Sequence, residues 1–145
     1  MPKSGRQAPV PTSGELRLLK ILWRLGEGTI EDVLQASDEN PSPNYKTVQT
    51  LLRIMENKKM VTHRLLGRAF VYRPRVRQDE VNRLSIRSLL QRHFEGSRSE
   101  LLLNLLDDEH IEAAELRELG ELIRRRREAI KSPRQRKNPR REGDS

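Results

Sequence analysis

Residues 44–57 carry two side-chain stripes at helical spacing, and this segment constrains the fold of the chain more than any other. Each stripe recurs at i, i+3, i+4 and i+7, and the two point in opposite directions on one α-helix. The apolar stripe consists of Val48, Leu51, Leu52 and Met55, and the polar stripe of Lys46, Gln49, Thr50 and Arg53. We therefore predict a helix from near Pro43 or Asn44 to about Asn57, with one side buried and the other presenting cations, an amide and a hydroxyl.

Two shorter helices are predicted before this one. Residues 12–15 form a capping box that opens the first helix, and Gly26 ends it. Thr29 caps the second, which runs from Ile30 to Ala36. A polar turn broken by prolines, residues 37–43, separates it from the third helix.

The residues after Lys59 change from helical to alternating periodicity. We predict strands at 60–65 and 69–73, rich in β-branched and aromatic residues, with the hairpin tip Leu66-Gly67-Arg68 between them. Three helices followed by a hairpin is the element order of a winged helix-turn-helix. We assign it to residues 12–75.

The helical period returns at residue 76, and three further helices are predicted. They are 76–95, 97–106, and a last one that Asp107 or Asp108 caps and that ends near Ile130. The fold class is thus mainly α with a small β-hairpin wing: an N-terminal winged helix-turn-helix followed by a three-helix C-terminal dimerisation region. Residues 1–11 are expected to be a disordered arm, and residues 131–145 a disordered basic tail.

The second half contains more leucine than so short a segment can bury by itself. A helix that is apolar almost all round must be covered on several sides, and a second subunit is the natural cover. We therefore predict a homodimer formed through residues 76–130. The candidate dimerisation residues are Leu84, Leu89, Leu101, Leu102, Leu105, Leu106, Leu116, Leu119 and Ile123.

Charge and composition limit the classes of function. The net charge is +8 and the pI about 10.4, which favours polyanionic partners. There is no cysteine, and His63, His93 and His110 lie on different predicted elements, so we expect no metal site. The sequence contains no recognisable set of catalytic residues and no phosphate-binding loop. We therefore expect that the protein is not an enzyme and has no cofactor. Without a long apolar run, we expect no membrane insertion and a cytoplasmic protein.

The polar stripe of the third helix has the residue types that read DNA in the major groove. Gln pairs with adenine, Arg and Lys pair with guanine, and a Thr methyl contacts thymine. Arginines of the hairpin can reach phosphates or the minor groove. The candidate DNA-binding residues are Asn44, Tyr45, Lys46, Thr47, Gln49, Thr50, Arg53, Arg64, Arg68 and Arg73. The alternative is a winged-helix protein-interaction module with only nonspecific affinity for nucleic acid.

Three stretches resemble the penicillinase and methicillin-resistance repressors and the related copper-responsive repressors. They are the stretch that begins with residues 11–16 and extends to Leu22-Trp23, residues 45–52 (YKTVQTLL) and residues 67–72 (GRAFVY). The resemblance covers about residues 11–130. It implies a homodimer that binds a double-stranded DNA operator of dyad symmetry and blocks transcription, with the third helix in the major groove.

The same resemblance implies a way of ending repression. In the antibiotic-resistance members a membrane sensor's signal leads to proteolysis in the dimerisation half, so a regulatory protease is an implied partner. The family's cut follows an asparagine that precedes a phenylalanine. The corresponding bond here is Asn104-Leu105, where leucine replaces the phenylalanine. The copper branch uses a C-terminal cysteine cluster, which this chain does not have.

Overall fold

Six α-helices and one two-stranded antiparallel sheet form residues 10–131, the part of the chain that the computed structural model describes. In chain order the elements are α1 (Ser13–Leu25), α2 (Ile30–Ala36), α3 (Tyr45–Asn57), β1 (Val61–Leu66), β2 (Ala69–Pro74), α4 (Gln78–Phe94), α5 (Arg98–Leu106) and α6 (Ala113–Lys131). The predicted mainly helical fold with a hairpin wing is confirmed.

Local hydrogen bonds explain where the first three helices begin. Thr12 and Glu15 form a reciprocal capping box at α1, and Thr29 and Asp32 form another at α2. Asn44 caps α3, because its Oδ1 accepts a hydrogen bond from the Thr47 N–H at 2.8 Å. All three starts agree with the sequence prediction, since each cap satisfies N–H groups that the helix itself leaves free.

The core of the first half lies among α1, α2, α3 and the hairpin. The apolar stripe of α3 enters it as predicted, with Val48, Leu52 and Met55 buried and Leu51 partly buried. Val76 and Val81 belong to the same core, so the start of α4 packs with the winged helix. The Trp23 indole Nε1 strengthens this attachment by donating to the Val76 carbonyl at 2.8 Å.

The hairpin is longer and tighter at its tip than predicted. Leu66 belongs to β1 and pairs with Ala69, which leaves a two-residue tip, Gly67-Arg68. Gly67 has a φ of 65°, a left-handed conformation that glycine adopts at little cost. Two hydrogen bonds between Gly28 and Tyr72, of 2.9 and 2.8 Å, join the hairpin to the α1–α2 loop.

The described residues fall into two compact units that divide after Gly96. The predicted boundary after residue 75, between a DNA-binding and a dimerisation domain, stays a prediction. The predicted arm and tail, residues 1–11 and 131–145, lie outside the described residues except at Val10, Pro11 and Lys131, and Lys131 ends α6.

The second unit contains α5 and α6, and the start of its last helix corrects the prediction. Asp107 and Asp108 do not cap α6, which begins at Ala113. The Asp108 carboxylate instead accepts the His110 N–H at 2.9 Å, and the Ile111 N–H donates to the Asp108 carbonyl at 3.1 Å. An aspartate can close such a local turn in place of a helix start, and residues 107–112 use that alternative.

Candidate nucleic-acid interface

The polar face of α3 is open to solvent. Lys46, Gln49 and Arg53 are exposed, Thr50 is half-buried, and Tyr45 at the helix start is 47% exposed. The hydrogen bonds and ion pairs recorded for residues 10–131 include none made by these five side chains. Within the described residues their polar groups therefore have no partner, and they lie on the side of α3 opposite to the buried stripe.

A cleft of about 550 Å³ lies between α3 and the hairpin. It brings together four of the predicted residues, because Tyr45, Gln49 and Arg53 line it from α3 and Arg68 lines it from the hairpin tip. Its walls also hold carboxylates and aromatic rings. The other lining residues are Thr29, Ile30, Glu31, Glu56, His63, Ala69, Phe70 and Tyr72. The cleft is thus a shared surface of helix and wing that contains two exposed arginines, Arg53 and Arg68, and one exposed carboxylate, Glu31.

Two predicted residues at the start of α3 do not share this cleft. The Asn44 side-chain oxygen is already occupied as the cap of α3, which leaves its amide nitrogen for an outside acceptor. Thr47 is exposed on another side of the helix, where it borders a groove between α1 and α3. These two side chains therefore lie beside the cleft and not in it.

Of the three predicted hairpin arginines, Arg68 lines the cleft, and Arg64 and Arg73 do not. The register pairs Arg64 with Val71 and Thr62 with Arg73, so Arg64 and Arg73 occupy one face of the hairpin. His63 and Tyr72 pair on the other face, which is directed at α3. Arg64 Nη2 also donates to Glu27 Oε2 at 2.7 Å. Arg68 is consequently the hairpin cation that joins the α3 surface.

An aromatic and histidine cluster forms the hairpin wall of the cleft, and it was not predicted from the sequence. The His63 ring lies 4.5 Å from the Phe70 ring and 5.5 Å from the Tyr72 ring, between centroids. His63 Nδ1 lies 2.8 Å from the Glu56 carboxylate of α3, which fixes the hairpin against the helix. The sequence pattern that could have revealed this cluster is the alternation of aromatic residues at 70 and 72, on the strand that pairs with the strand of His63.

Burial affects the ionisation of Tyr72 in this cluster. Desolvation raises the pKa of the Tyr72 phenol above 10.0, and the neighbouring Glu56 carboxylate raises it further. The phenol is therefore a neutral hydrogen-bonding group at neutral pH. Within residues 10–131, no three histidine, cysteine, aspartate or glutamate side chains gather as a metal site.

The candidate dimerisation residues remain largely uncovered. Neither α5 nor α6 contains a buried residue. Leu102 is 38% exposed, Leu105 56%, Leu116 42% and Ile123 47%. The half-buried members of the set are Leu84, Leu101, Leu106 and Leu119, and Leu89 of α4 is exposed. Asn104 and Leu105, the bond of the implied cut, lie inside α5 and are exposed.

The first three helices, with the hairpin beside the third, define a winged-helix protein. Residues 11–125 match the family described as penicillinase repressor. The match covers most of the chain, and the chain belongs to the penicillinase repressor family.

Individual relatives agree with this membership. The chain is 25% identical to the penicillinase repressor of Bacillus licheniformis over 118 residues, which are 81% of this chain and 92% of that protein. It is 17% identical to the methicillin resistance regulatory protein MecI of Staphylococcus aureus (strain N315) over 115 residues, 79% of this chain and 94% of that protein.

A solved structure is also similar. The solution structure of the DNA binding domain of the repressor BlaI aligns with a TM-score of 0.45 at 26% identity, over 51% of this chain and 90% of that one.

Between residues 10 and 131, no helix has the length and apolar character that crossing a membrane requires.

Proposed function

We propose that this chain is a DNA-binding transcriptional repressor that acts as a homodimer on an operator with dyad symmetry. The observation that carries the proposal is the face of α3, where Lys46, Gln49 and Arg53 are exposed and make no recorded polar contact within the described residues. Arg64 of the hairpin, by contrast, is paired with Glu27. Membership of the penicillinase repressor family supports the same function.

The chemistry of α3 suits the major groove of DNA, which is wide enough to admit an α-helix. Gln49 can make two hydrogen bonds to adenine, and Arg53 can do the same to guanine. Tyr45 and Lys46, at the helix start, suit the sugar-phosphate backbone. Because these side chains share one face with Arg68 of the hairpin, a single approach to the duplex engages helix and wing together.

The proposed homodimer rests on the apolar surface of residues 97–131. Two helices with no buried residue gain little from packing within one subunit, whereas exposed apolar side chains are stabilised when a second copy covers them. On α6, Leu116, Leu119 and Ile123 recur at i, i+3 and i+7, so they form one stripe that a partner helix can cover. A two-fold dimer presents two copies of α3, which requires an operator with matching symmetry.

Release by proteolysis at Asn104-Leu105 is a further part of the proposal, and it rests on the position of the bond in the chain alone. The bond lies in the middle of α5, and the Asn104 side-chain amide donates to the Glu100 carbonyl at 2.8 Å. A protease needs an extended chain, so α5 must open before cleavage. Mass spectrometry of the protein from induced cells tests this step, and intact protein during derepression would remove it.

The DNA-reading proposal is tested by the ratio of specific to nonspecific affinity, on a duplex selected by the wild-type chain. Gln49→Ala and Arg53→Ala should each weaken specific binding by about 1–3 kcal/mol and relax the preference at one base pair. Arg87→Ala, an exposed arginine on α4, is the matched control and should leave the preference unchanged. A wild-type ratio near one would favour the protein-interaction module instead, because specific binders exceed their nonspecific affinity by about 10³ or more.

A further inference from the structure

Most of the net positive charge of the chain lies after residue 121, outside the winged helix. Residues 122–145 contain ten arginine or lysine side chains and three aspartate or glutamate side chains, which is a net charge of +7. The whole chain has a net charge of +8, so residues 1–121 carry only +1. A segment of such charge attracts polyanions, and this attraction is additional to that of α3.

Four of these basic residues are consecutive arginines of α6, residues 124–127, and all four are exposed. Successive residues of an α-helix are rotated by about 100°, so the four side chains leave the helix on different sides. The first two arginines pair with the Glu121 carboxylate of the same helix. The side chains of Arg126 and Arg127 make none of the hydrogen bonds or ion pairs recorded for residues 10–131, so they are available to an outside anion.

The negative charge near these arginines is too small to neutralise them. Glu121 and Glu128 are the acidic residues of α6 within four positions of the arginines, and the C-terminal end of a helix is equivalent to about half a negative charge. Together with Lys131, five cations are therefore opposed by roughly two and a half negative charges. Like charges three positions apart on a helix also repel, as at residues 124 and 127. An anion from outside would therefore stabilise this end of α6.

We propose that the arginines at the end of α6, Arg126 and Arg127 in particular, bind the phosphate backbone of duplex DNA without reading its sequence. Charge complementarity favours this partner, because duplex DNA carries one negative charge per about 1.7 Å of its length. Arginine suits a phosphate well, since its planar guanidinium group can donate two parallel hydrogen bonds to it. The contact goes beyond the proposed function, because it involves neither α3 nor the hairpin and needs no operator.

A contact of this kind affects the salt dependence of binding and not the choice of base pairs. Each phosphate that a protein neutralises releases counterions, so the logarithm of affinity falls with the logarithm of salt concentration by about 0.9 per contact. Such contacts let a protein slide and hop along DNA before it reads bases. The end of α6 should therefore hold the chain on DNA of any sequence while α3 selects the site.

The test measures the affinity of the full-length chain for a duplex of random sequence, by fluorescence anisotropy, at salt concentrations from about 50 to 200 mM. The Arg126→Gln, Arg127→Gln double variant should have a slope less steep by about 1.8 for each chain that binds, because two phosphate contacts are lost. Over this range, wild-type affinity should therefore fall about twelvefold more than the affinity of the variant. The Arg126→Lys, Arg127→Lys variant should keep the wild-type slope, since lysine retains the charge.

A matched control separates a DNA contact from a general effect of charge. Arg87→Gln, Arg98→Gln removes two exposed arginines from α4 and α5, and neither side chain makes a recorded polar contact within the described residues. This control loses the same charge and should keep the wild-type slope. An equal loss of slope in the control, or an unchanged slope in the Arg126→Gln, Arg127→Gln variant, would overturn the inference.

The competing partner for these arginines is an acidic surface on a second copy of the chain. Sedimentation equilibrium without DNA should show the same self-association for the glutamine double variant and the wild type. Weaker self-association with an unchanged salt slope would assign the arginines to subunit pairing and overturn the inference. Preference for a selected duplex is measured separately and should persist in the variant, because α3 is unaltered. Its absence in the wild type would remove the proposed function and leave the salt-slope result standing.

Discussion

A buried carboxylate connects the start of α1 to the end of α3, and its removal should destabilise the winged helix in a defined order. Glu15 is 2% exposed. Its Oε1 accepts a hydrogen bond from the Thr12 N–H at 2.9 Å, and its Oε2 accepts one from the Lys58 Nζ at 2.8 Å. Three variants separate these roles. Glu15→Gln keeps the hydrogen bond to the Thr12 N–H and removes the charge, Lys58→Met leaves the charge without its cation, and Glu15→Ala removes both side-chain contacts but leaves the Glu15 N–H bonded to Thr12 Oγ1.

The magnitudes follow from what each variant leaves buried. Glu15→Gln should cost about 1 kcal/mol, since glutamine also completes a capping box and the Lys58 ammonium, whose side chain is 32% exposed, can turn to solvent. Lys58→Met should cost about 2 kcal/mol, below the 3–5 kcal/mol typical of a broken buried pair, because the lysine side chain is 32% exposed and Thr12 still donates to the carboxylate. Glu15→Ala should cost about 3 kcal/mol, combining the lost hydrogen bond to the Thr12 N–H with the lost charged hydrogen bond to Lys58.

Urea unfolding followed by circular dichroism measures these differences, at one fixed protein concentration because a dimer's stability depends on it. The double variant Glu15→Gln, Lys58→Met should lose less than the sum of the single losses, since the uncompensated charge is gone. If Glu15→Gln proved more destabilising than Lys58→Met, or if Glu15→Ala cost less than about 0.5 kcal/mol, the assigned role of this ion pair would be wrong.

Two further predictions concern the same unit. Trp23→Phe removes the donor to the buried Val76 carbonyl and should lower the free energy of unfolding in urea by about 1–2 kcal/mol. A tryptophan isostere with sulfur in place of the indole N–H should lower it by the same amount. An unaffected urea midpoint would exclude a role for this bond. The Tyr45→Phe variant contains one tyrosine, Tyr72. The phenolate absorbance of that residue should appear with a titration midpoint above pH 10.0. Because the folded-state pKa is raised, its contribution to stability is present below pH 10.0 and is lost as pH rises through that pKa; a midpoint at or below 10.0 would contradict the burial.

Helix boundaries could be predicted from sequence where a cap bonds to a residue three positions away. Thr12, Thr29 and Asn44 are such cases, since donor and acceptor lie within the same short segment. The start of α6 could not be predicted in this way. Asp108 has the chemistry of a helix cap, but the same side chain closes a local turn with His110, and a residue type alone does not choose between the two.

Contacts between distant segments escaped the sequence analysis for a different reason. Glu15 and Lys58 are 43 residues apart, and their pairing depends on how α1 packs against α3. The site shows the same limit. The polar stripe of α3 predicted which side chains face solvent, but the ion pair that occupies Arg64 comes from Glu27, 37 residues away. Alternation in the hairpin likewise did not reveal that Leu65 and Leu66 are left uncovered.

Selection of binding sites from a random duplex pool, at about physiological salt, tests the central claim most directly. Nonspecific phosphate binding is weak under these conditions, so enrichment reports base reading. The account predicts an inverted repeat whose half-sites are about one helical turn apart, or a multiple of it, because two copies of α3 read a dyad. Enrichment of a single half-site would contradict the dimer, and no enrichment would contradict sequence reading by α3.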